Sequence, residues 1–144
     1  MSCPSDSIKE EQENTNIIYT HNYDYEEVKE FALNSIEQIF DVGKEHYYVY
    51  FYMKTCGHCN QIKNEMISFG LERRDIYYIE KYEGIPSSNN DHSLIGATTP
   101  NEIFVKAYPF LIEILNGQVI NTYLGVSQIK SSLNFWLETT YIII

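Results

Sequence analysis

The sequence predicts an α/β domain in which helices cover both faces of a central mixed β-sheet. Three patterns favour this class. The run from His46 to Met53 is aromatic or β-branched almost throughout, which is typical of a strand buried on both faces. The following segment, Gly57 to Phe69, places apolar residues at helical spacing. Later in the chain, Asn116-Gly117 separates two β-prone runs and is a strong hairpin signal.

Length and composition bound the classes of protein to which the chain can belong. It has 144 residues, of which 44% are apolar, enough for one domain with a packed core. Three cysteines are too few for a disulfide-rich mini-fold, and their odd number leaves at least one unpaired within the chain. The formal net charge of −10 argues against nucleic-acid binding, because phosphate backbones require a basic face. The longest apolar run, Tyr47 to Met53, is far too short to span a membrane.

The first 16 residues are predicted to be a disordered acidic leader, and residues 17–144 to form the folded domain. Residues 1–30 hold eight acidic residues and two lysines, so most of the net charge lies near the start. No basic region followed by an apolar segment stands there, so no signal peptide is expected. Cys3 heads this polar linker, which resembles the start of a mature bacterial lipoprotein. The alternative for Cys3 is an ordinary thiol in a tail.

The first elements of the domain are predicted from β-propensity and helical periodicity. Ile17 to Thr20 is a short β-prone run. Asp24 can cap a helix that continues to about Val42, with Gly43 as its stop. Six apolar residues lie on one face of this helix: Val28, Phe31, Ala32, Ile36, Ile39 and Phe40. After the central strand, the helix from Gly57 to Phe69 is expected to end at Gly70.

The second half of the domain is predicted in the same way. Asp75 to Glu80 is another short strand, and the polar stretch from Glu83 to Thr98 is a loop. A capping box with proline at the first helical position predicts a short helix over residues 99–105. The hairpin strands are Phe110 to Leu115 and Gln118 to Leu124. A last helix, capped by Ser127, turns four residues inward: Ile129, Leu133, Trp136 and Leu137.

The run Cys56-Gly57-His58-Cys59 stands where the central strand meets the first turn of a helix. Unpaired backbone N–H groups and the positive end of the helix dipole favour a thiolate at this position. Cys56, at the exposed helix end, is therefore predicted to be the attacking nucleophile, and Cys59, on the buried face, the resolving thiol. His58 can add positive charge and a hydrogen bond to the thiolate. Zinc binding is disfavoured, because a structural site needs four ligands and the chain shows no second paired motif.

With these residues the sequence resembles the thioredoxin superfamily over residues 17–140. The run from Tyr48 to Cys59 is similar to the central strand and active-site turn of that family, and its Gly-His dipeptide is the one typical of protein disulfide isomerase domains. Residues 104–119 are similar to the family's stretch around its cis-proline and following hairpin. The resemblance implies a thioredoxin fold and a cis Tyr108–Pro109 bond packed against the two cysteines. It also implies that the backbone of Tyr108 pairs with an extended substrate segment.

The sequence departs from the family at three places. Tyr50 stands where the family has a buried acid that shuttles protons for the resolving cysteine, so water or another group, such as Glu113 or Lys54, is expected to do this. Thr55 replaces the tryptophan usual before the first cysteine, so Trp136 is expected in the core. The loop from Glu83 to Thr98 is longer than a minimal domain requires. These departures favour a divergent thioredoxin-like protein, of the kind exported and lipid-anchored in bacteria.

The resemblance implies a thiol–disulfide oxidoreductase that exchanges disulfides with protein substrates through Cys56 and Cys59, as reductase, oxidase or isomerase. The alternative is a thioredoxin-fold binding or accessory module without redox turnover. The expected cofactor is none beyond a redox-active Cys56–Cys59 disulfide, and the expected partners are protein thiols and a redox partner. We expect a monomer outside the cytoplasm of a bacterium, lipid-anchored at Cys3. A cytoplasmic location is the alternative.

Overall fold

The structure is a computed structural model that describes residues 22–80 and 94–132. Four strands form one sheet in the order β2-β1-β3-β4. They are β1 (His46–Tyr52), β2 (Ile76–Glu80), β3 (Phe110–Leu115) and β4 (Gln118–Leu124). β1 pairs with β2 in parallel and with β3 antiparallel, and β3 pairs with β4 antiparallel. The predicted mixed sheet is confirmed, with the aromatic strand β1 in its interior.

The three α-helices are α1 (Gly57–Gln61), α2 (Lys63–Arg73) and α3 (Gly125–Ser132). Side chains at alternate positions of a strand share one face, so Tyr48, Tyr50 and Tyr52 point to one face of β1. The helix α2 lies on that face, where the Tyr78 hydroxyl donates to the Met66 carbonyl at 2.8 Å. On the opposite face, the Tyr47 hydroxyl donates to the Ile39 carbonyl at 2.6 Å. Both faces of the sheet are therefore covered.

The single helix predicted from Asp24 to about Val42 is wrong. The structure has a 3₁₀-helix over Tyr25–Phe31 and a 3₁₀ turn over Ile36–Gln38 instead. Between them, Ala32 bridges to Tyr78 of β2, and the backbone N–H of Leu33 donates to the Tyr78 carbonyl at 2.8 Å. Backbone pairing with the sheet edge takes Ala32 out of the helix. The predicted cap is present, because Asp24 and Glu27 form a capping box.

The helix predicted from Gly57 to Phe69 is broken at Ile62 and ends four residues later, at Arg73. Ile62 is fully buried and leaves the helical region of backbone space, with φ of −114° and ψ of 14°. As a β-branched residue, it has a slightly lowered helix propensity. Gly70, predicted as the helix stop, lies inside α2, where the Tyr78 hydroxyl occupies the space that a Cβ atom would take. The left-handed conformation of Arg74, with φ of 61°, ends the helix instead.

The hairpin and the capping box after the loop are as predicted. Asn116 and Gly117 both have positive φ, 52° and 77°, as a two-residue hairpin turn requires. Pro100–Glu102 is a short 3₁₀-helix, whose Glu102 carboxylate accepts from the Thr99 N–H at 3.1 Å. The last helix begins at Gly125 rather than after Ser127, because the Gln128 side chain accepts from the Leu124 N–H at 2.8 Å and caps it earlier.

Several sequence predictions lie outside the described residues. They concern the leader and its boundary at residue 17, Cys3, Ile17 to Thr20, most of the loop from Glu83 to Thr98, Leu133, Trp136 and Leu137.

Candidate functional site

The two cysteines lie at the carboxyl end of the interior strand β1. Cys56 is the N-cap of α1, with extended backbone angles, and its carbonyl accepts from the Asn60 N–H at 3.1 Å. The turn before it is closed by the Cys56 N–H, which donates to the Met53 carbonyl at 3.1 Å. Cys59 follows one turn later, on the buried side of α1. This is the strand-to-helix placement that the sequence predicts.

Cys56 is less accessible than the sequence predicts. Only 3% of its surface is exposed, whereas an attacking nucleophile was expected at an open helix end. Its Sγ lies 3.8 Å from the carbonyl oxygen of Tyr108, which is itself buried. Cys56 therefore belongs to the core cluster, although its backbone stands at a helix start.

Cys59 is a fully buried free thiol that is not joined to Cys56 in this structure. Burial raises the pKa of the Cys59 thiol to about 11, and the hydrogen bond from Met53 opposes this rise. The Met53 N–H lies 3.5 Å from the Cys59 Sγ. At neutral pH, Cys59 is therefore protonated and needs help to become a nucleophile.

Four further residues were predicted to support the two cysteines: Gly57 and His58 between them, and Tyr108 and Pro109 packed against them. Gly57 is exposed at the first position of α1, and half-buried His58 places its Nδ1 3.1 Å from the Gln61 side-chain oxygen. The Tyr108–Pro109 peptide bond is cis. The Pro109 carbonyl accepts from the Gly125 N–H at 2.9 Å, which ties this segment to the start of α3. The structure thus brings Tyr108 to Cys56, while a role for His58 at the thiolate stays a prediction.

Four tyrosines with rings in mutual contact form a group called here the site cluster: Tyr25, Tyr50, Tyr52 and Tyr78. The Tyr25 ring stacks on Tyr52 at 3.9 Å, and Tyr50 lies edge-on to Tyr78 at 6.1 Å. Sequence reasoning found only Tyr50 of this cluster. The alternation of Tyr48, Tyr50 and Tyr52 in β1 could have indicated a shared tyrosine face, but nothing local connects Tyr25 to it.

Neither group suggested as a substitute for the buried acid is placed at Cys59. Glu113 is opposite Tyr48, toward the other end of β1, where it accepts hydrogen bonds from Asn121 at 2.9 Å and Tyr48 at 3.3 Å. The Nζ of Lys54 lies 3.9 Å from Glu80, and both side chains are largely exposed. Tyr50, the residue expected in place of that acid, is fully buried.

The described residues contain neither a metal-ligand cluster nor a membrane-spanning helix. Over residues 22–80 and 94–132, no group of three or more histidine, cysteine or acidic side chains is arranged to hold a metal ion. In the same ranges, no helix is long and apolar enough to cross a membrane.

Comparisons with known proteins identify the fold. The chain is similar to a chain in a solved structure on thiol resolution in yeast mitochondrial 1-Cys peroxiredoxin via the glutathione and thioredoxin systems. The TM-score is 0.50 at 14% identity, over 75% of this chain and 92% of that chain. Thioredoxin f2 of Chlamydomonas reinhardtii gives 0.49 at 16% identity, over 73% and 91%. Oxidised mitochondrial thioredoxin 3 of Saccharomyces cerevisiae gives 0.48 at 15% identity, over 69% and 86%. Protein-family models and curated protein sequences give no match.

Fold and site together define an α/β protein with two cysteines at the first turn of the helix that follows its interior strand. Its fold is the thioredoxin fold, as the sequence predicts.

Proposed function

We propose that the chain is a thiol–disulfide oxidoreductase that exchanges disulfides with protein substrates through Cys56 and Cys59. The observation that carries this proposal is the placement of the pair. Cys56 caps α1, where backbone N–H groups favour a thiolate, and Cys59 lies one turn on as a free thiol. A nucleophile and a resolving thiol need this spacing to close a disulfide with each other.

In the reducing direction, the Cys56 thiolate attacks one sulfur of a substrate disulfide and displaces the other as a thiolate. Cys59, after losing its proton, attacks Cys56 Sγ, forms the Cys56–Cys59 disulfide and releases the second substrate sulfur. The substrate gains two electrons and two protons, and the pair loses them. An external dithiol or disulfide partner then returns the pair to its starting state. The oxidising direction is the reverse of these steps.

The burial of Cys56 sets a condition on this proposal. A protein disulfide can react only if the cover over Cys56 opens. Alkylation of the reduced chain by maleimides of increasing size measures that opening, with Cys3→Ser removing the third thiol. We expect the small reagent to react quickly at Cys56 and the bulky one more slowly, but at a measurable rate.

The test of the function is turnover of a protein disulfide. The reduced chain should reduce insulin in the presence of dithiothreitol, and oxidation should join Cys56 to Cys59 in a peptide map. Cys56→Ser should abolish turnover, Cys59→Ser should trap a mixed disulfide with the substrate, and Cys3→Ser should change neither. A wild-type chain that turns over no disulfide would contradict the proposal.

The alternative is a binding or accessory module of the thioredoxin fold without redox turnover. Two observations favour it: Cys56 is buried, and burial raises the pKa of Cys59 to about 11. The pH dependence of Cys56 alkylation separates the two functions. An oxidoreductase requires a Cys56 pKa below the ordinary value of about 8.5, whereas a module has no need of one.

The location outside the cytoplasm, with a lipid on Cys3, is a separate proposal supported only by the acidic linker that Cys3 heads. Intact-mass measurement of the protein from its native host tests it. A lipid-sized mass increase that Cys3→Ser abolishes is expected, and an unmodified protein in the soluble fraction would contradict it.

A further inference from the structure

Two hydroxyl groups in the site cluster are buried without a hydrogen bond. Within the described ranges, the hydroxyls of Tyr25 and Tyr50 are the buried side-chain oxygens and nitrogens that lack a partner of acceptable geometry. Tyr50 has no exposed surface at all. Phenylalanine would bury the same ring without leaving a polar atom unpaired. The two hydroxyls therefore have an energetic cost that their packing does not explain.

The two hydroxyls lie next to each other, and Cys59 acts electrostatically on both. Interaction with the Tyr50 hydroxyl lowers the pKa of Tyr25, against the larger upward effect of burial. After burial itself, charge on neighbouring groups, Cys59 among them, raises the pKa of both Tyr25 and Tyr50. Cys59 therefore lies within electrostatic reach of both hydroxyls. Because the effect is mutual, a charge that forms on Cys59 acts on groups that are still able to donate.

The other groups around the cluster do not compete for this role. The Tyr78 hydroxyl already donates to the Met66 carbonyl at 2.8 Å. Three carboxylates act on the cluster: the exposed Glu80 and Asp24 act at Tyr52, and Asp75 acts at Tyr78. Asp75 is itself paired with Arg73 at 2.8 Å. The Lys54 ammonium pairs with Glu80 at 3.9 Å. Two neutral donors without acceptors, the Tyr25 and Tyr50 hydroxyls, thus remain in the site cluster.

We propose that the Tyr25 and Tyr50 hydroxyls are the donors that stabilise the Cys59 thiolate while it resolves a mixed disulfide. They would do the work that a buried acid does in similar proteins, by hydrogen bonding in place of proton shuttling. This inference rests on the proposed function. A phenol donates through its hydrogen, directly or through one bridging water, which two facing hydroxyls can hold.

The step balances without any further reagent. The Cys59 thiol loses its proton, and the thiolate attacks Cys56 Sγ of the mixed disulfide. The Cys56–Cys59 bond forms as the bond from Cys56 to the substrate sulfur breaks, and the departing substrate thiolate takes up one proton. Both tyrosines stay protonated throughout, because burial keeps the pKa of each above its ordinary value.

A tyrosine donor differs from a carboxylate in the pH profile that it produces. A carboxylate changes charge in acid or, when buried, near neutrality, and so adds a break to the profile of the resolving step. Tyr25 and Tyr50 add no break below their own raised pKa. The rate of resolution should therefore rise smoothly with the thiolate fraction of Cys59.

The experiment separates attack from resolution in one transient. Reduced Cys3→Ser chain is mixed with a chromogenic aromatic disulfide, which releases one thiolate on attack by Cys56 and a second on resolution by Cys59. We expect Tyr50→Phe and Tyr25→Phe each to slow the second phase about tenfold, as loss of a hydrogen bond to a charged group does. The first phase should stay unchanged. The pKa of Cys59, measured by alkylation in a Cys56→Ser background, should rise by about one unit.

Tyr78→Phe is the matched control, because it removes a hydroxyl of the same cluster that is already paired. It should lower thermal stability and leave the second phase unchanged. If the Tyr25→Phe/Tyr50→Phe double variant resolves as fast as the parent and keeps its Cys59 pKa, the hydroxyls have no part in resolution and this inference is overturned. If the parent itself shows no second phase, the proposed function fails with it, so the two failures are distinguishable.

Discussion

Two groups of tyrosine hydroxyls lie along one face of the sheet and differ in what they find there. In the site cluster, the hydroxyls of Tyr25 and Tyr50 have no acceptor. Toward the other end of β1, the hydroxyls of Tyr48 and Tyr123 both donate to the Glu113 carboxylate, each at 3.3 Å. This second group, the Glu113 cluster, also contains two further donors: His46 at 2.6 Å and Asn121 at 2.9 Å.

The difference shows two uses of the same side chain. Around Glu113 every tyrosine hydroxyl has a permanent negative charge to bind, so the polar groups stabilise the folded state. In the proposed function, charge forms at Cys59 only during reaction, so the resting state leaves the donors unpaired at a cost. The hydrogen bonds of the Glu113 cluster stabilise the folded state. In the proposed function, the unpaired hydroxyls of the site cluster remain available for the charge that forms on Cys59.

The largest effect is expected where the site cluster is tightest. In Gly70→Ala, the new Cβ would overlap the Tyr78 hydroxyl and approach its ring carbon Cζ to 3.1 Å. We expect a loss of about 3 kcal/mol in the free energy of unfolding, from overpacking and from a weakened bond to Met66. Chemical denaturation measures it.

The Tyr78→Phe background provides the control, because it removes the overlapping oxygen. There, Gly70→Ala should cost far less, and Glu72→Ala, at an exposed position of α2, should cost under about 0.5 kcal/mol in either background. Equal costs of Gly70→Ala with and without the Tyr78 hydroxyl would show that the two groups do not collide.

The second-largest effect on stability is expected in the Glu113 cluster. Glu113→Ala removes the acceptor shared by four donors on β1 and β4, while the Glu113 side chain is only 12% exposed. We expect a loss of about 2 kcal/mol in the free energy of unfolding, because the half-buried Tyr48 and Tyr123 lose the acceptor of their hydroxyl groups. Glu37→Ala, which truncates an exposed carboxylate, should change it by less than about 0.5 kcal/mol. Similar losses in the two variants would contradict a stabilising role for the cluster.

A smaller effect is expected on acidification. Burial opposes ionisation of Glu113, but hydrogen bonds from Asn121 and His46 hold the pKa of its carboxyl below the ordinary value. A depressed pKa contributes stability that is complete above the ordinary glutamate pKa of about 4.3 and is lost as pH falls through the folded value. Stability of the parent should therefore fall more steeply below that pH than stability of Glu113→Gln. Parallel curves in acid denaturation monitored by fluorescence would refute this.

The smallest effect should have the opposite sign. Tyr50→Phe removes an unpaired buried hydroxyl, so the free energy of unfolding should rise by about 1 kcal/mol. Tyr47→Phe, on the other face of β1, removes a hydroxyl that donates to Ile39 at 2.6 Å and should lower it by a similar amount. A loss of stability in Tyr50→Phe would mean that its hydroxyl is bound in the resting protein. Thermal unfolding distinguishes these outcomes.

Features set by local chemistry could be predicted from the sequence. The interior strand β1, the hairpin at Asn116-Gly117 and the cysteine pair at a helix start each depend on residues that are neighbours in the chain. The helix from Asp24 to Val42 could not, because its apolar spacing competes with backbone pairing between Ala32 and a strand more than forty residues away.

Within the site, the burial of Cys59 was more predictable than the surroundings of Cys56 and Tyr25. Cys59 is on the buried side of α1, as its spacing from Ile62 and Met66 indicates. The burial of Cys56 against Tyr108 depends on a contact across 52 positions of the chain, which no local pattern encodes. The same holds for Tyr25, which reaches Tyr52 only because the chain crosses the edge of β2.

The pairing of Ala32 and Leu33 with the edge of β2 also affects association between copies of this chain. The outer edge of β2 would offer unpaired N–H and carbonyl groups to a strand from another chain, which is a common route to aggregation. Ala32 and Leu33 occupy that edge at Tyr78, with the Leu33 N–H on its carbonyl. A foreign strand would have to displace them before it could extend the sheet. The same backbone pairing that interrupts the predicted helix thus also protects the edge of β2 from self-association.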